Sequence, residues 1–371
     1  MDHRPLSAIV LAAGEGTRMN SATAKPLHRL CGRAMVLYVL DALAELTVDR
    51  VVVVVGPGAT ELTKTIQSEA SRALHLEFVE QPEPRGTGDA VAIALTGLFG
   101  SYGPADFDEG DVIVLPGDIP LLQRRTLVAL VEGHRDSGGA ATLLTARLAE
   151  PTDCSRVVRD KDGRVARIVE EPEATDDERQ IDEVATTAYC FRQGVLAPAL
   201  RRLWPDNSLG EYYLTDTVAV LHDAGYAVNT VVAPDPVEAL EVNDRAQLAD
   251  AEAHLRQRIN RYWMRQGVTM WDPAATYLDA TVRLEADVTL LPGVILEGRT
   301  TVARGAVLGP SVHLVDCEVA AAAQLSHTVA SHIQIGERCS VGPFAVLEKG
   351  ARLARGERHG PFFGPGIGQS S

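Results

Sequence analysis

Aromatic side chains are scarce in this sequence: they make up 5% of 371 residues, although hydrophobic residues still account for 46%. A chain that buries apolar surface with so few rings depends on Ala, Val and Leu, which suits helices packed on a largely parallel sheet. Excess positive charge is also lacking, the formal net charge being -15. Nucleic acids and anionic membranes reward a basic face through counterion release, so neither is an expected partner. The five cysteines, Cys31, Cys154, Cys190, Cys317 and Cys339, are scattered and odd in number. That fits neither a disulfide framework nor a structural zinc site. Long hydrophobic runs are missing too. The apolar stretch 8–13 follows a polar start and is short enough for one buried strand, so no signal peptide is expected and the cytoplasm is the expected compartment.

The length exceeds what one core usually serves, which predicts two domains. Residues 7–11 and 51–55 have strand character and flank a helical pattern over 35–46, with Val39, Leu40, Leu43 and Leu46 at helical spacing. A third apolar run, 112–115, meets Pro116-Gly117-Asp118, and a helical pattern over 87–98 supplies another crossover. The expected class is α/β, with a doubly wound, mixed, Rossmann-like first domain over residues 1–243. Within it, the acidic segment 172–180 reads as a loop and 186–191 as a strand. Residues 246–266 carry Leu248, Leu255, Ile259 and Trp263 at helical spacing, a linker helix within 244–267.

Beyond the helix the period becomes six. Val282, Val288, Val294, Thr300, Ala306 and Val312 fall in step, and Ile335, Val341, Leu347 and Leu353 resume it after an irregular stretch. Small aliphatic residues at every sixth position predict a three-sided parallel β-helix over 268–355, followed by an irregular tail, 356–371.

The sharpest local signal is Leu11-Ala12-Ala13-Gly14-Glu15-Gly16-Thr17-Arg18-Met19, followed by Lys25-Pro26-Leu27. A glycine-rich turn directly after a first strand lets backbone N-H groups approach phosphates, and Arg18 and Lys25 bring positive charge to the same crevice. No Gly-Lys-Ser/Thr follows, so this is no Walker loop, and the Rossmann glycine spacing fails at Met19. Taken alone, the turn serves a tight bend as readily as a phosphate.

Together with Gln81, Gly86-Thr87-Gly88, Leu115-Pro116-Gly117-Asp118, Ile168-Val169-Glu170, Gly210-Glu211-Tyr212-Tyr213-Leu214-Thr215-Asp216 and Val242-Asn243, this order of motifs resembles the sugar-1-phosphate nucleotidyltransferases. The bifunctional N-acetylglucosamine-1-phosphate uridyltransferase/acetyltransferase family is the nearest within them, and the likeness covers nearly the whole chain. It implies that a nucleoside triphosphate and a sugar or cyclitol 1-phosphate are joined, releasing pyrophosphate, and that the β-helix is left-handed. It further implies Arg18, Lys25 and Asp118 as catalytic residues. Leu11, Ala13, Gly14, Gly16, Thr17, Arg18, Lys25, Gln81, Gly86, Thr87 and Asp118 would bind the nucleotide, and Asp118 and Asn243 would hold Mg²⁺. Ser155, Glu170, Ala185, Thr186, Tyr213 and Thr215 would line the sugar side, with Arg156 and Arg167 as surface charges.

Departures from the family sit on that sugar side. Ala185 stands where asparagine is usual, Ser155 and Thr187 replace glycines, and Asp89 replaces a histidine. Such changes point to an acceptor without an acetamido group. Valienol 1-phosphate with GTP, in secondary metabolism, is the favoured pair. A uridyltransferase for N-acetylglucosamine 1-phosphate or another hexose 1-phosphate is the alternative, and a non-catalytic regulatory or assembly subunit is the alternative of another class. In the second domain the family's Leu-Arg-Pro-Gly reads Leu347-Glu348-Lys349-Gly350 and later coils are missing, so acetyl transfer is expected to be lost. The remaining coils would support a homo-oligomer, a trimer by resemblance.

Overall fold

The computed structural model describes residues 4–99, 110–149, 151, 152 and 154–364. The chain divides into two compact units, 1–28 with 34–248 and 29–33 with 249–371.

The first unit begins with β1 (Leu6–Ala12) and, after the short two-stranded sheet of β2 (Arg29–Leu30) and β3 (Arg33–Ala34), of which residues 29–33 belong to the second unit, continues with α1 (Met35–Ala44), β4 (Arg50–Val55) and α2 (Thr60–Glu69). It continues through β5 (Leu76–Glu80), α3 (Thr87–Phe99), β6 (Asp111–Pro116), α4 (Arg124–Ser137) and β7 (Ala141–Arg147). Next come β8 (Ser155–Arg159), β9 (Val165–Val169), α5 (Asp176–Arg179), β10 (Glu183–Arg192), α6 (Gln193–Leu200), α7 (Asp216–Asp223) and β11 (Val228–Val232).

One sheet runs β11-β7-β10-β6-β1-β4-β5, with β8 and β9 hung from β10. Its pairings are parallel except those of β10 with β6, β7 and β8 and of β8 with β9, so the sheet is mixed. Residues of β6 alternate between two cores: Ile113 and Leu115 join Val36, Leu40 and Leu127 on one side. Val112 and Val114 join Val91, Leu95, Leu196 and Val218 on the other. Burying each such side chain contributes roughly 1.5–3 kcal/mol, which fixes the strand register. The chain leaves β1 toward β4 on one side, while β6 pairs with its other side. The crevice at the carboxyl ends of β1 and β6 is therefore the switch point at which such sheets hold ligands.

The expected acidic loop departs from a plain loop. Glu171–Glu173 forms a 3-10 turn, and α5 is opened by a capping box in which Thr175 and Glu178 satisfy each other's backbone N-H groups.

A helix, α8 (Arg245–Arg265), carries the chain into the second unit. There, three parallel sheets stack coil on coil, giving the left-handed β-helix. Thr289 pairs with Val307 and Ser340 with Arg358, both eighteen residues on, whereas Gln324 pairs with Ser340, sixteen on. Those shortened coils are the physical origin of the irregular stretch, and they also change the phase. Ile335 stacks in the ladder of Leu284, Val302 and Val319, and Val341 in that of Leu290, Leu308 and Leu325, so the second run occupies positions two residues after those of Val282 and Val288. The ladder reaches Arg358–His359. The expected tail beyond 364 lies outside the described residues. No described helix is long and apolar enough to cross a membrane.

Candidate active site

A cavity of about 480 Å³ opens at the switch point of the first unit. Its wall begins with the turn after β1, where Gly16 has φ +63 and a Cβ there would lie 2.5 Å from the Lys25 Cβ. The turn needs glycine for both its handedness and its space, because Lys25 packs directly against it. Gly117, after β6, donates its N-H to the Leu11 carbonyl at 2.8 Å and ties the two strand ends together. Leu11, Ala13, Gly14, Gly16, Thr17, Arg18, Lys25, Gln81, Gly86, Thr87, Asp118 and Asn243 all line this cavity.

At its floor, Lys25 Nζ donates to Asp118 Oδ2 at 2.5 Å and to Asn243 Oδ1 at 2.6 Å. The Val242 N-H donates to the Asp118 carbonyl at 2.9 Å, and the Gln247 side chain accepts from the Asn243 N-H, so backbone contacts as well as side chains align this pair. Asp118 Oδ1 is buried and has no partner among the described residues. Two oxygens already converge on one cation and a third is unused, a hard donor set of the kind Mg²⁺ takes. No group of three or more His, Cys, Asp or Glu residues suited to a metal occurs among the described residues, so the fit rests on that oxygen set.

Sequence reasoning missed Glu241. It lines the cavity, accepts from the Thr187 hydroxyl at 2.9 Å, and has its carboxyl pushed up by burial and by Asp118 nearby. In Glu241-Val242-Asn243, which is not a strand, Glu241 and Asn243 both line the cavity while Val242 between them is buried. Thr187 reaches it from the register shift in β10 between Ala185 and Tyr189, an irregularity that re-aims side chains.

At another edge, Gln81 is 4% exposed and follows the end of β5. Its amide nitrogen donates to the Gly86 carbonyl at 3.2 Å and to Asp89 Oδ2 at 2.8 Å, and Asp89 Oδ1 accepts from Arg85 at 2.9 Å. Gly86, at φ +102, lies so close to Tyr212 that a Cβ would meet its carbonyl at 2.6 Å.

The six residues expected on the sugar side do not line the main cavity. Ser155 and Thr215 donate to the two oxygens of Glu170 at 2.6 and 3.0 Å, and Ala185 pairs with Ser155 across β10 and β8. Tyr213 is pushed up to about 12 by burial and then by Glu211 and Glu170, while Asp216 is raised to about 6 by burial, Glu173 and Glu170. Thr186 is different: its hydroxyl donates to the Leu144 carbonyl, accepts from the Ala188 N-H, and is buried in the fold. Arg156 corrects the expectation of a surface charge. It is 1% exposed and is held by the Pro151 and Cys154 carbonyls and by Glu171 at 2.8 Å. Arg167 is exposed and pairs with Glu178.

Residues 8–207 match the family described as MobA-like NTP transferase domain. The chain is 42% identical over 356 residues, 96% of its length and 75% of the relative's, to the bifunctional protein GlmU of Desulfitobacterium hafniense. Likeness to the bifunctional protein GlmU of Thermobifida fusca is 44% over 90% of the chain and 68% of the relative, and to that of Streptomyces coelicolor 41% over 97% and 73%. With this cavity at the switch point and that similarity along almost its whole length, the chain belongs to the sugar-1-phosphate nucleotidyltransferase family, in its GlmU-like branch.

Proposed function

We propose that the protein joins a nucleoside triphosphate to a sugar or cyclitol 1-phosphate in a Mg²⁺-dependent reaction that releases pyrophosphate. The observation that carries this reading is the convergence of Lys25, Asp118 and Asn243 on one point beside the glycine turn. The attacking phosphate oxygen is already an anion, so repulsion is the obstacle rather than deprotonation. Each unit-charge pair near 5 Å costs roughly 3 kcal/mol at an effective dielectric of about 20. Arg18 and Lys25 offset that charge on the triphosphate and on the departing pyrophosphate, and the N-H groups of the turn bind phosphate oxygens. Asp118 and Asn243 would hold Mg²⁺, which when bound supplies charge neutralisation at the α-phosphate.

For the acceptor, similarity along the chain supports a uridyltransferase acting on N-acetylglucosamine 1-phosphate or another hexose 1-phosphate. A second reading, valienol-1-phosphate guanylyltransferase, draws on the sugar-side cluster, where Ala185 offers no hydrogen bond to an acetamido group and Ser155 occupies Glu170. In the second unit Glu348 is exposed and presents negative charge to an anionic ligand, so this unit serves assembly as a trimer rather than acetyl transfer. Pyrophosphate release measured over a matrix of triphosphates and sugar or cyclitol 1-phosphates tests the whole reading. Failure with every pair would favour a non-catalytic subunit on this fold, and exclusive use of UTP with N-acetylglucosamine 1-phosphate would remove the cyclitol reading.

A further inference from the structure

Resting on the cavity being a triphosphate site and on the base lying against Gln81, the position at which the resemblance implies that it is read, we propose that Asp89 is a positioning residue for nucleobase selection. It locks the Gln81 amide so that only a carbonyl oxygen faces the base, and the protein thereby selects uracil or guanine, which present a ring N-H, over adenine or cytosine, which present a ring acceptor.

A glutamine amide can donate from one end or accept at the other, and a half-turn exchanges the two. At Gln81 the choice is forced. Both groups facing its nitrogen, the Gly86 carbonyl and the Asp89 carboxylate, are acceptors, at 3.2 and 2.8 Å. Turning the amide over would set its oxygen against both of them, in a side chain that is 4% exposed. With both amide hydrogens committed, Oε1 is what Gln81 has left to offer the cavity it lines. Asp89 is itself steadied from behind by Arg85 at 2.9 Å, and is 12% exposed where Arg85 is 57% exposed. The carboxylate, inside the first turn of α3, is thus the shorter and better placed of the two locks. Where the family usually has histidine, whose ring can donate or accept, this chain has a group that only accepts.

An oxygen at that position pairs with N3-H of uracil or N1-H of guanine. It faces a lone pair on N1 of adenine or N3 of cytosine, and a buried polar group left unpaired costs about tenfold in binding.

The test measures binding of UTP, GTP, ATP and CTP, each with Mg²⁺, to the full chain and to D89A and D89N, with pyrophosphate release recorded in parallel. Expected is a preference of at least about tenfold for UTP or GTP over ATP and CTP, reduced about tenfold in D89A and restored in D89N, which keeps an acceptor oxygen. Thermal melting separates any weakening of the helix from the change in selectivity. The proposal is overturned if ATP or CTP binds best, if D89A leaves the ratio unchanged, or if D89N is as unselective as D89A. The wild-type ratio and D89N decide the matter should D89A fail to fold. Selective binding without turnover would remove the proposed reaction and leave this inference standing, while turnover with no base preference would do the opposite.

Discussion

Lys25 Nζ sits between Asp118 Oδ2 and Asn243 Oδ1, at 2.5 and 2.6 Å, so one ammonium group joins the glycine-turn region, the end of β6 and the approach to α8. Lys25→Met leaves the two oxygens facing each other without a cation. We expect turnover to fall by about a hundredfold or more, the scale seen when a donor to developing charge is removed. The check is steady-state pyrophosphate release alongside thermal melting. Wild-type turnover in a folded variant would place the chemistry elsewhere.

Asp118→Asn tests the metal-side role. The amide keeps the size and hydrogen-bonding reach of the carboxylate but loses its charge, so kcat should drop by about a hundredfold while triphosphate affinity changes far less. Titration with Mg²⁺ should show a weaker metal dependence. A variant that loses triphosphate binding and turnover in equal measure would mark Asp118 as a ground-state contact instead.

Gly16→Ala places a methyl group 2.5 Å from the Lys25 Cβ at φ +63. The left-handed backbone alone costs about 1–2 kcal/mol for a residue with a side chain. Lys25 must also move. Turnover should therefore suffer more than unfolding free energy, which is measured by denaturant titration; an active but merely less stable variant would separate the turn from Lys25.

Asp216 is raised from 3.8 to about 6 by burial and by Glu173 and Glu170. The folded state then holds its proton more tightly than the unfolded chain does, so stability falls as pH rises between about 4 and 6 and stays lower above that. Asp216→Asn should remove this penalty. Its partial solvent contact reduces the expected gain to about 1 kcal/mol above pH 6, with little difference below pH 4. Unfolding titrations at pH 4, 5, 6 and 7.5 follow the trend, and a gain that is constant across this range would assign it to another cause.

The residues gathered in the cavity were legible because phosphate recognition restricts residue choice: a glycine turn, basic side chains and a carboxylate must appear near strand ends. Gln81 was identified only by resemblance, since nothing in its own surroundings distinguishes a buried glutamine from an exposed one. Thr186 was beyond that reach for another reason. Its hydroxyl goes to the Leu144 carbonyl, while that of Thr187, in the register shift of β10, reaches Glu241 at the cavity. Arg156 is buried because two carbonyls and Glu171 meet its guanidinium, partners brought together only by the folded β8 region. The six-residue phase revealed the β-helix, but the shortened coils hid that its two runs occupy different positions of the repeat, two residues apart.

The β8–β9 hairpin stands outside the main strand order; its ladder to β10 pairs Val184 with Arg156 and Ala185 with Ser155, and Arg159 of β8 adds an ion pair to Glu183 of β10 at 2.9 Å. The frame that seats the glycine turn and Asp118 lies elsewhere, in β1 and β6. Val157, Val165 and Ile168 of this hairpin nevertheless share a core with Val112 and Val114 of β6, so a graft exchanging it between family members must conserve the volume of those three side chains if the strand leading to Asp118 is to keep its place.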